Sequence, residues 1–129
     1  MNQINELTDA IKIYLDAIHY CDAEKLDEVF HEKSSLFDAD GGEIFVDPVA
    51  DFRADVAIRP SPASINQKRQ DEIIAIDWLS DLSAVVKLRL QSHKNIFVDH
   101  LSFVKGSDGW KIVAKIWHLE GNAEIVTLK

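Results

Sequence analysis

Asp99 and His118 are the residues best placed to do acid–base chemistry together in this 129-residue chain. A carboxyl and an imidazole can relay a proton or anchor a polar ligand when an apolar enclosure moves their pKa values into a useful range. The two fall on neighbouring strand-like runs, residues 96–105 and 110–119, each of which alternates apolar and polar side chains. The Gly106-Ser107-Asp108-Gly109 turn sets Lys105 opposite Trp110. Continued alternation then pairs Phe103 with Ile112, Leu101 with Ala114, Asp99 with Ile116 and Phe97 with His118. In that register Lys111 and Lys115 face outward, while Trp110, Ile112, Ala114, Ile116 and His118 face inward. Asp99 and His118 become diagonal cross-strand neighbours on an apolar face. Burying Asp99 there costs free energy unless it is paired. The expected catalytic pair is therefore Asp99 as general acid/base and His118 as its tuning or donating partner. The competing structural role is a polar pair tying the sheet to a helix end, since ion-pair networks also perturb pKa values.

A third run, residues 82–92, joins the same sheet. It contributes Ala84, Val86, Leu88 and Leu90 to the inner face, with Lys87 and Arg89 outside. A turn around Lys94-Asn95 pairs Leu101 with Leu88 and Asp99 with Leu90. The expected ligand-contacting residues are Tyr14, Leu88, Leu90, Phe97, Leu101 and Ile116. Residues 67–79 read as a further long strand, with Ile74, Ile76 and Trp78 inside, or Ile73 and Ala75 if the register slips.

Helices must cover this face. Ile4, Leu7, Ile11, Tyr14, Leu15 and Ile18 recur at helical spacing over residues 4–20. Asp22 is an N-cap for a short second helix over residues 23–30. Strands at 34–37 and 43–46 flank the Asp40-Gly41-Gly42 turn signal. Pro48 suits the start of a third helix to about residue 58, which Pro60 and Pro62 end.

Other chemistry-bearing residues carry weaker signals. His31 sits where an imidazole can simply complement a helix C-terminus. Tyr14 either places its hydroxyl in the pocket or bonds backbone within the core. His93 and His100 face outward and share no ligand spacing with a carboxylate, so no metal is expected. Asp38 and Asp40 read as turn formers. No Gly-rich phosphate loop, nucleophile elbow or zinc-binding helix motif is present.

The outer face carries Val98, His100, Ser102, Val104, Val113 and Trp117, and no helix remains to cover it. A Trp beside three Val on an open face predicts an interface, most simply a two-fold homodimer through Val98, Val113 and Trp117. A formal net charge of −8 argues against nucleic acid, whose binding rests on Lys and Arg neutralising phosphates. No apolar run approaches the ~18 residues of a membrane span, and none resembles a secretory signal. The lone Cys21 permits no intrachain disulfide. A single domain over residues 1–129 in the cytoplasm is the expectation, with no cofactor.

The order helix, helix, hairpin, helix, antiparallel meander resembles the nuclear transport factor two-like superfamily along nearly the whole chain. Within it the sequence is most similar to the lumazine-binding, polyketide-cyclase-like (SnoaL-like) bacterial branch. The resembling stretches are Val29-Phe30-His31-Glu32, Val98-Asp99-His100-Leu101-Ser102-Phe103-Val104-Lys105 and Asp108-Gly109-Trp110-Lys111-Ile112-Val113-Ala114-Lys115. Asp99-His100-Leu101 stands where the branch usually has Asp-Tyr-Leu. The resemblance implies an α+β fold, a cone-shaped curved antiparallel sheet wrapped around N-terminal helices, with a small-molecule pocket between them. It also implies frequent sheet-to-sheet dimers. The superfamily includes isomerases, cyclases, dehydratases and non-catalytic carriers, so it leaves open whether the chain is an enzyme. The two expectations are proton transfer on a cyclic or polyketide-like compound, or a non-enzymatic dimeric interaction or carrier module.

Overall fold

The computed structural model describes residues 3–129. The elements run α1 (Gln3–Tyr20), α2 (Ala23–Val29), β1 (Phe30–Asp38), β2 (Phe45–Pro48), α3 (Val49–Ile58), β3 (Asp71–Ser80), β4 (Ser83–Ser92), β5 (Asn95–Gly106) and β6 (Gly109–Asn122). The expected α+β class and element order hold. The six strands form one sheet in the order β2-β1-β6-β5-β4-β3. Every pairing is antiparallel except β1 with β6, which is parallel.

Helix α1 lies on the sheet through the stripe its spacing predicts. Leu7, Ile11 and Tyr14 are fully buried, and Ala10, Leu15 and Ala17 complete that face. Each large side chain so buried contributes roughly 1.5–3 kcal/mol of transfer free energy. Cys21 ends α1 at positive φ, where the Asp22 amide returns to the Ala17 carbonyl at 2.9 Å. The Asp22 carboxylate then caps α2 by accepting from the Glu24 and Lys25 amides. The chain enters β1 directly at Phe30, so the short helix ends one residue before the expected limit.

Both hairpins keep the expected inner face next to their turns, and each departs from the expected register. On the β5–β6 side, Lys105 is opposite Trp110 and Phe103 opposite Ile112, as the turn requires. On the β4–β5 side, the turn is tightened to His93-Lys94, with His93 in the left-handed region. Leu101 therefore pairs with Val86, Asp99 with Leu88 and Phe97 with Leu90. That is a slip of two residues, which preserves side-chain parity. In β3, Ile76 and Trp78 pair with the inward Val86 and Ala84, and a bulge brings Ile73 rather than Ile74 opposite Leu88.

The decisive departure is a β-bulge in β6. Ser102 pairs with Ala114 and Phe103 with Ile112, which leaves Val113 unmatched between them. One extra residue reverses the parity of everything beyond it. Leu101 now faces Lys115, Asp99 faces Trp117 and His100 faces Ile116. Lys115 and Trp117 consequently lie on the inner face. Ala114, Ile116 and His118 lie on the outer face, contrary to the expectation for all five. Strand β1 follows the same shift, with Leu36 beside Lys115 and Phe37 beside Ile116. A second shift between Ile96 and Phe97 leaves Glu120 unmatched, after which Ile96 pairs with Gly121 and Asn95 with Asn122.

Candidate functional site

Beyond the bulge, the inner face becomes polar at its centre. Asp99 is 1% exposed, and Tyr14 Oη donates to its Oδ2 at 2.5 Å, joining α1 to β5. Lys115 Nζ lies 3.8 Å from the same oxygen, an ion-pair distance longer than a hydrogen bond. Lys115 is 7% exposed, and its ammonium sits over the ring faces of Phe52 at 4.8 Å and Tyr14 at 5.1 Å. Asp99 Oδ1 is buried and has no hydrogen-bond partner. An unpaired buried oxygen beside a charged amine costs the fold free energy that a bound donor would recover.

These groups open onto a cavity of about 200 Å³. Leu36, Phe52, Leu90, Phe97 and Trp117 supply much of its apolar wall, and Phe97 and Trp117 meet edge to face with centroids 5.7 Å apart. Exposed Asp55 of α3, exposed Arg59 at the C-cap of that helix and half-buried Asp47 of β2 form a charged rim. An apolar cavity of ~150 Å³ is enough to admit benzene, so a volume of this size has room for a single-ring or small bicyclic body.

Burial shifts the titratable groups that surround Asp99. The Tyr14 hydroxyl is held well above its ordinary range, first by desolvation and then by the negative charge and hydrogen bond of Asp99. It therefore remains a proton donor at neutral pH. Desolvation lowers the Lys115 ammonium below the ordinary lysine value; Asp99 and Asp47 oppose this, and Arg59 adds to it. Burial raises the Asp47 carboxyl, helped by the charges of Asp55 and Asp51.

The structure brings together Asp99, Tyr14, Leu90 and Phe97 of the expected site and separates the rest. His118 is on the outer face, where its Nδ1 is 2.6 Å from Asp40 Oδ1. The Leu119 amide donates to the same carboxylate, and these two bonds hold the Asp40 carboxyl below its usual range. His118 thus secures the β1–β2 turn and does not reach Asp99. Ile116 is 56% exposed on the outer face and is not part of the Asp99 cavity wall. Leu88 and Leu101 are fully buried core residues next to Asp99, not cavity walls. Tyr14 bonds a carboxylate where a backbone partner was the alternative. Trp117, expected at an outer interface, lines the cavity. His31 is exposed at the start of β1, and its Nδ1 accepts from the Lys33 amide. The His93 ring is 3.0 Å from the Pro60 carbonyl.

Sequence reasoning missed Lys115, Trp117, Phe52 and the rim. The signal for the first two was the anomaly itself. A Trp on an uncovered face and a His in an apolar one are both better satisfied by a single parity reversal.

Chains of this architecture form the nuclear transport factor two-like class, and solved members superpose closely. A nuclear transport factor two-like protein of unknown function from Silicibacter pomeroyi matches with TM-score 0.79 at 20% identity, over 91% of this chain and 95% of that one. Another from Methylobacillus flagellatus matches with TM-score 0.77 at 22% identity, over 94% of each. A ketosteroid isomerase-like protein from Erwinia carotovora atroseptica gives TM-score 0.62 at 15% identity, over 88% and 93%. Within this class, the chain belongs to the family described as "Putative lumazine-binding", which it matches over residues 2–118. Among curated proteins, none matches the sequence. No helix among the described residues is long and apolar enough to cross a membrane. Among the same residues, no group of three or more His, Cys, Asp and Glu is arranged to hold a metal ion.

Proposed function

We propose that this protein binds a small cyclic molecule in the Asp99 cavity and supports proton transfer on it. The observation that carries this reading is the divided state of the Asp99 carboxyl. Its Oδ2 is held by Tyr14 and faces Lys115, while Oδ1 is buried without a partner in a residue lining an apolar cavity. A fixed carboxylate with one free oxygen is a competent general base or an anchor for an N–H or O–H of a ligand. Tyr14 keeps its proton and orients the carboxyl. The family description and the ketosteroid isomerase-like neighbour point the same way.

Asp99→Asn tests the reading, because Asn preserves size and acceptor capacity but removes charge and basicity. Native mass spectrometry of freshly purified protein should show ligand retention altered in the folded variant. A loss of stability with ligand binding unchanged would leave Asp99 as scaffold alone.

A second reading, a homodimer through the outer sheet face, is favoured by the exposure of Val85, Val104 and Ile116 there. Of the residues expected at that interface, Val98 faces outward, Val113 lies in the bulge and Trp117 is excluded by its inward position. Light scattering tests it. Ile116→Glu should lower the mass of a folded protein by half, and an unchanged mass would refute the interface.

A further inference from the structure

We infer that Lys115 is an amine nucleophile, and that the cavity takes a small aldehyde or ketone which Lys115 holds as an imine. This rests on the cavity being a ligand site and adds the class of ligand. Four observations carry it. The Lys115 side chain is buried and lines the cavity. Its Nζ stands 3.8 Å from its countercharge, too far to donate to it, so the ammonium is not committed to Asp99 as a hydrogen-bonded pair. Ring faces of Phe52 and Tyr14 surround it on other sides. Asp99 Oδ1, on the same carboxyl, has no partner. Asp99 and Lys115 line the same cavity, so a rotation of the carboxyl that turns Oδ1 towards it would let one ligand engage both groups. A carbonyl meets both needs: its carbon accepts the amine, and the hydroxyl formed from its oxygen donates to Oδ1.

The proton inventory closes within the site. The Lys115 side chain first swings onto Asp99 Oδ2, closing the 3.8 Å gap to hydrogen-bond distance, passes it one ammonium proton, and then attacks the carbonyl carbon as a free amine. The C–N bond forms, and the π electrons of the C=O bond move to oxygen. A second proton moves from nitrogen to that oxygen, giving the carbinolamine. Asp99 then returns its proton as the C–O bond breaks and water leaves. The nitrogen lone pair closes the C=N bond of a protonated imine, which keeps the positive charge facing the Asp99 carboxylate. The pair thus begins and ends as cation and anion. No oxidant, reductant or metal enters the balance. The lowered pKa of Lys115 supports the first step by easing loss of its proton. The charged or titratable groups facing Lys115 are Asp99 from β5, Tyr14 from α1, Asp47 from β2, Asp55 from α3 and Arg59 from the C-cap of that helix. An imine also acidifies the adjacent C–H bonds, which gives the Asp99 base a proton to remove.

The test uses benzaldehyde as probe with cyanoborohydride at neutral pH, followed by peptide mass spectrometry. The expected result is a benzyl adduct at Lys115 ahead of the exposed lysines, lost in Lys115→Arg and in the charge-neutral double variant Lys115→Met with Asp99→Asn. Labelling of Lys115 should rise with pH through a midpoint below the ordinary lysine value of 10.5. Benzyl alcohol, which has the ring without the carbonyl, reports the cavity separately through the Trp117 indole N–H resonance. If benzyl alcohol shifts that resonance while only exposed lysines become labelled, the imine is overturned and the ligand site stands. If neither probe registers, the ligand site falls and the imine falls with it.

Discussion

Towards the Gly106–Gly109 turn, the inner face of β5 and β6 carries Phe103, Trp110 and Ile112, all buried. Trp78 closes that end, packed edge to face on Trp110 with centroids 5.9 Å apart. Past Val113, the same face of the same two strands carries Asp99, Lys115, Phe97 and Trp117 around a cavity. The first region is packed with aromatic and aliphatic side chains; the second buries a carboxyl and an amine at the edge of an opening. Nothing in the backbone direction changes between them except one unmatched residue. The comparison teaches that the pocket is a consequence of pairing register as much as of side-chain identity.

Giving Val113 a partner attacks that difference directly and should have the largest effect. One alanine inserted between Ser102 and Phe103 of β5 would fill the position opposite it. With Phe103 and Ile112 kept inward, strict alternation would then turn Ala114, Ile116 and His118 inward and expel Asp99, Lys115 and Trp117. The buried pair would leave the core and β5 would fall out of step with β4, so a cost of about 4 kcal/mol or more is expected in denaturant unfolding. Loss of preferential benzaldehyde labelling at Lys115 should accompany it. An insertion variant that keeps both wild-type stability and labelling would show that the bulge does not create the pocket.

Asp99→Asn comes next, at about 3 kcal/mol, because it leaves a buried ammonium without its nearest countercharge. Its pH dependence has a defined sign. Lys115 has a lowered folded-state pKa, so the unfolded chain binds more protons in the interval up to 10.5. The penalty is fully present below the folded pKa and fades as pH rises through it. The midpoint gap between variant and wild type should therefore narrow from neutral to alkaline pH. A gap that widens instead would contradict the assignment.

Trp117→Ala should cost about 2 kcal/mol, less than a full core truncation because the ring is half-buried at the cavity wall. It should weaken binding of a ring-sized probe without changing the mass in solution. Ile116→Glu, one residue earlier and on the opposite face, should leave probe binding intact. A pair of results with those effects exchanged would return the strand to unbroken alternation. The smallest effect belongs to His118→Ala, which removes a surface bond to Asp40 and should leave labelling of Lys115 unchanged.

The sequence made the architecture legible because its signals are local. The stripe of Leu7, Ile11 and Tyr14, the Asp22 cap and the Gly106–Gly109 turn each depend on neighbours within a few positions. Asp99 was legible for the same reason, as a carboxyl on an apolar face set by its own strand. Its partner was not. Choosing between Lys115 and His118 required knowing where β6 gains a residue, and Val113-Ala114 contains no glycine or proline to mark it. Helix α3 and its C-cap contributed Phe52, Asp55 and Arg59 through a tertiary approach that no periodicity encodes.

The unmatched Val113 also gives β6 the character of a text with two reading frames. In one frame the strand presents alanine, isoleucine and histidine to the cone, and in the other lysine and tryptophan. Both sets are already written in the same stretch. With the bulge held in place, a one-residue insertion or deletion between the Gly106–Gly109 turn and Val113 would therefore exchange the whole lining in a single step, where point substitution would need several. A lineage built on this strand can move between a greasy carrier and a charged reaction chamber without first inventing the residues of either.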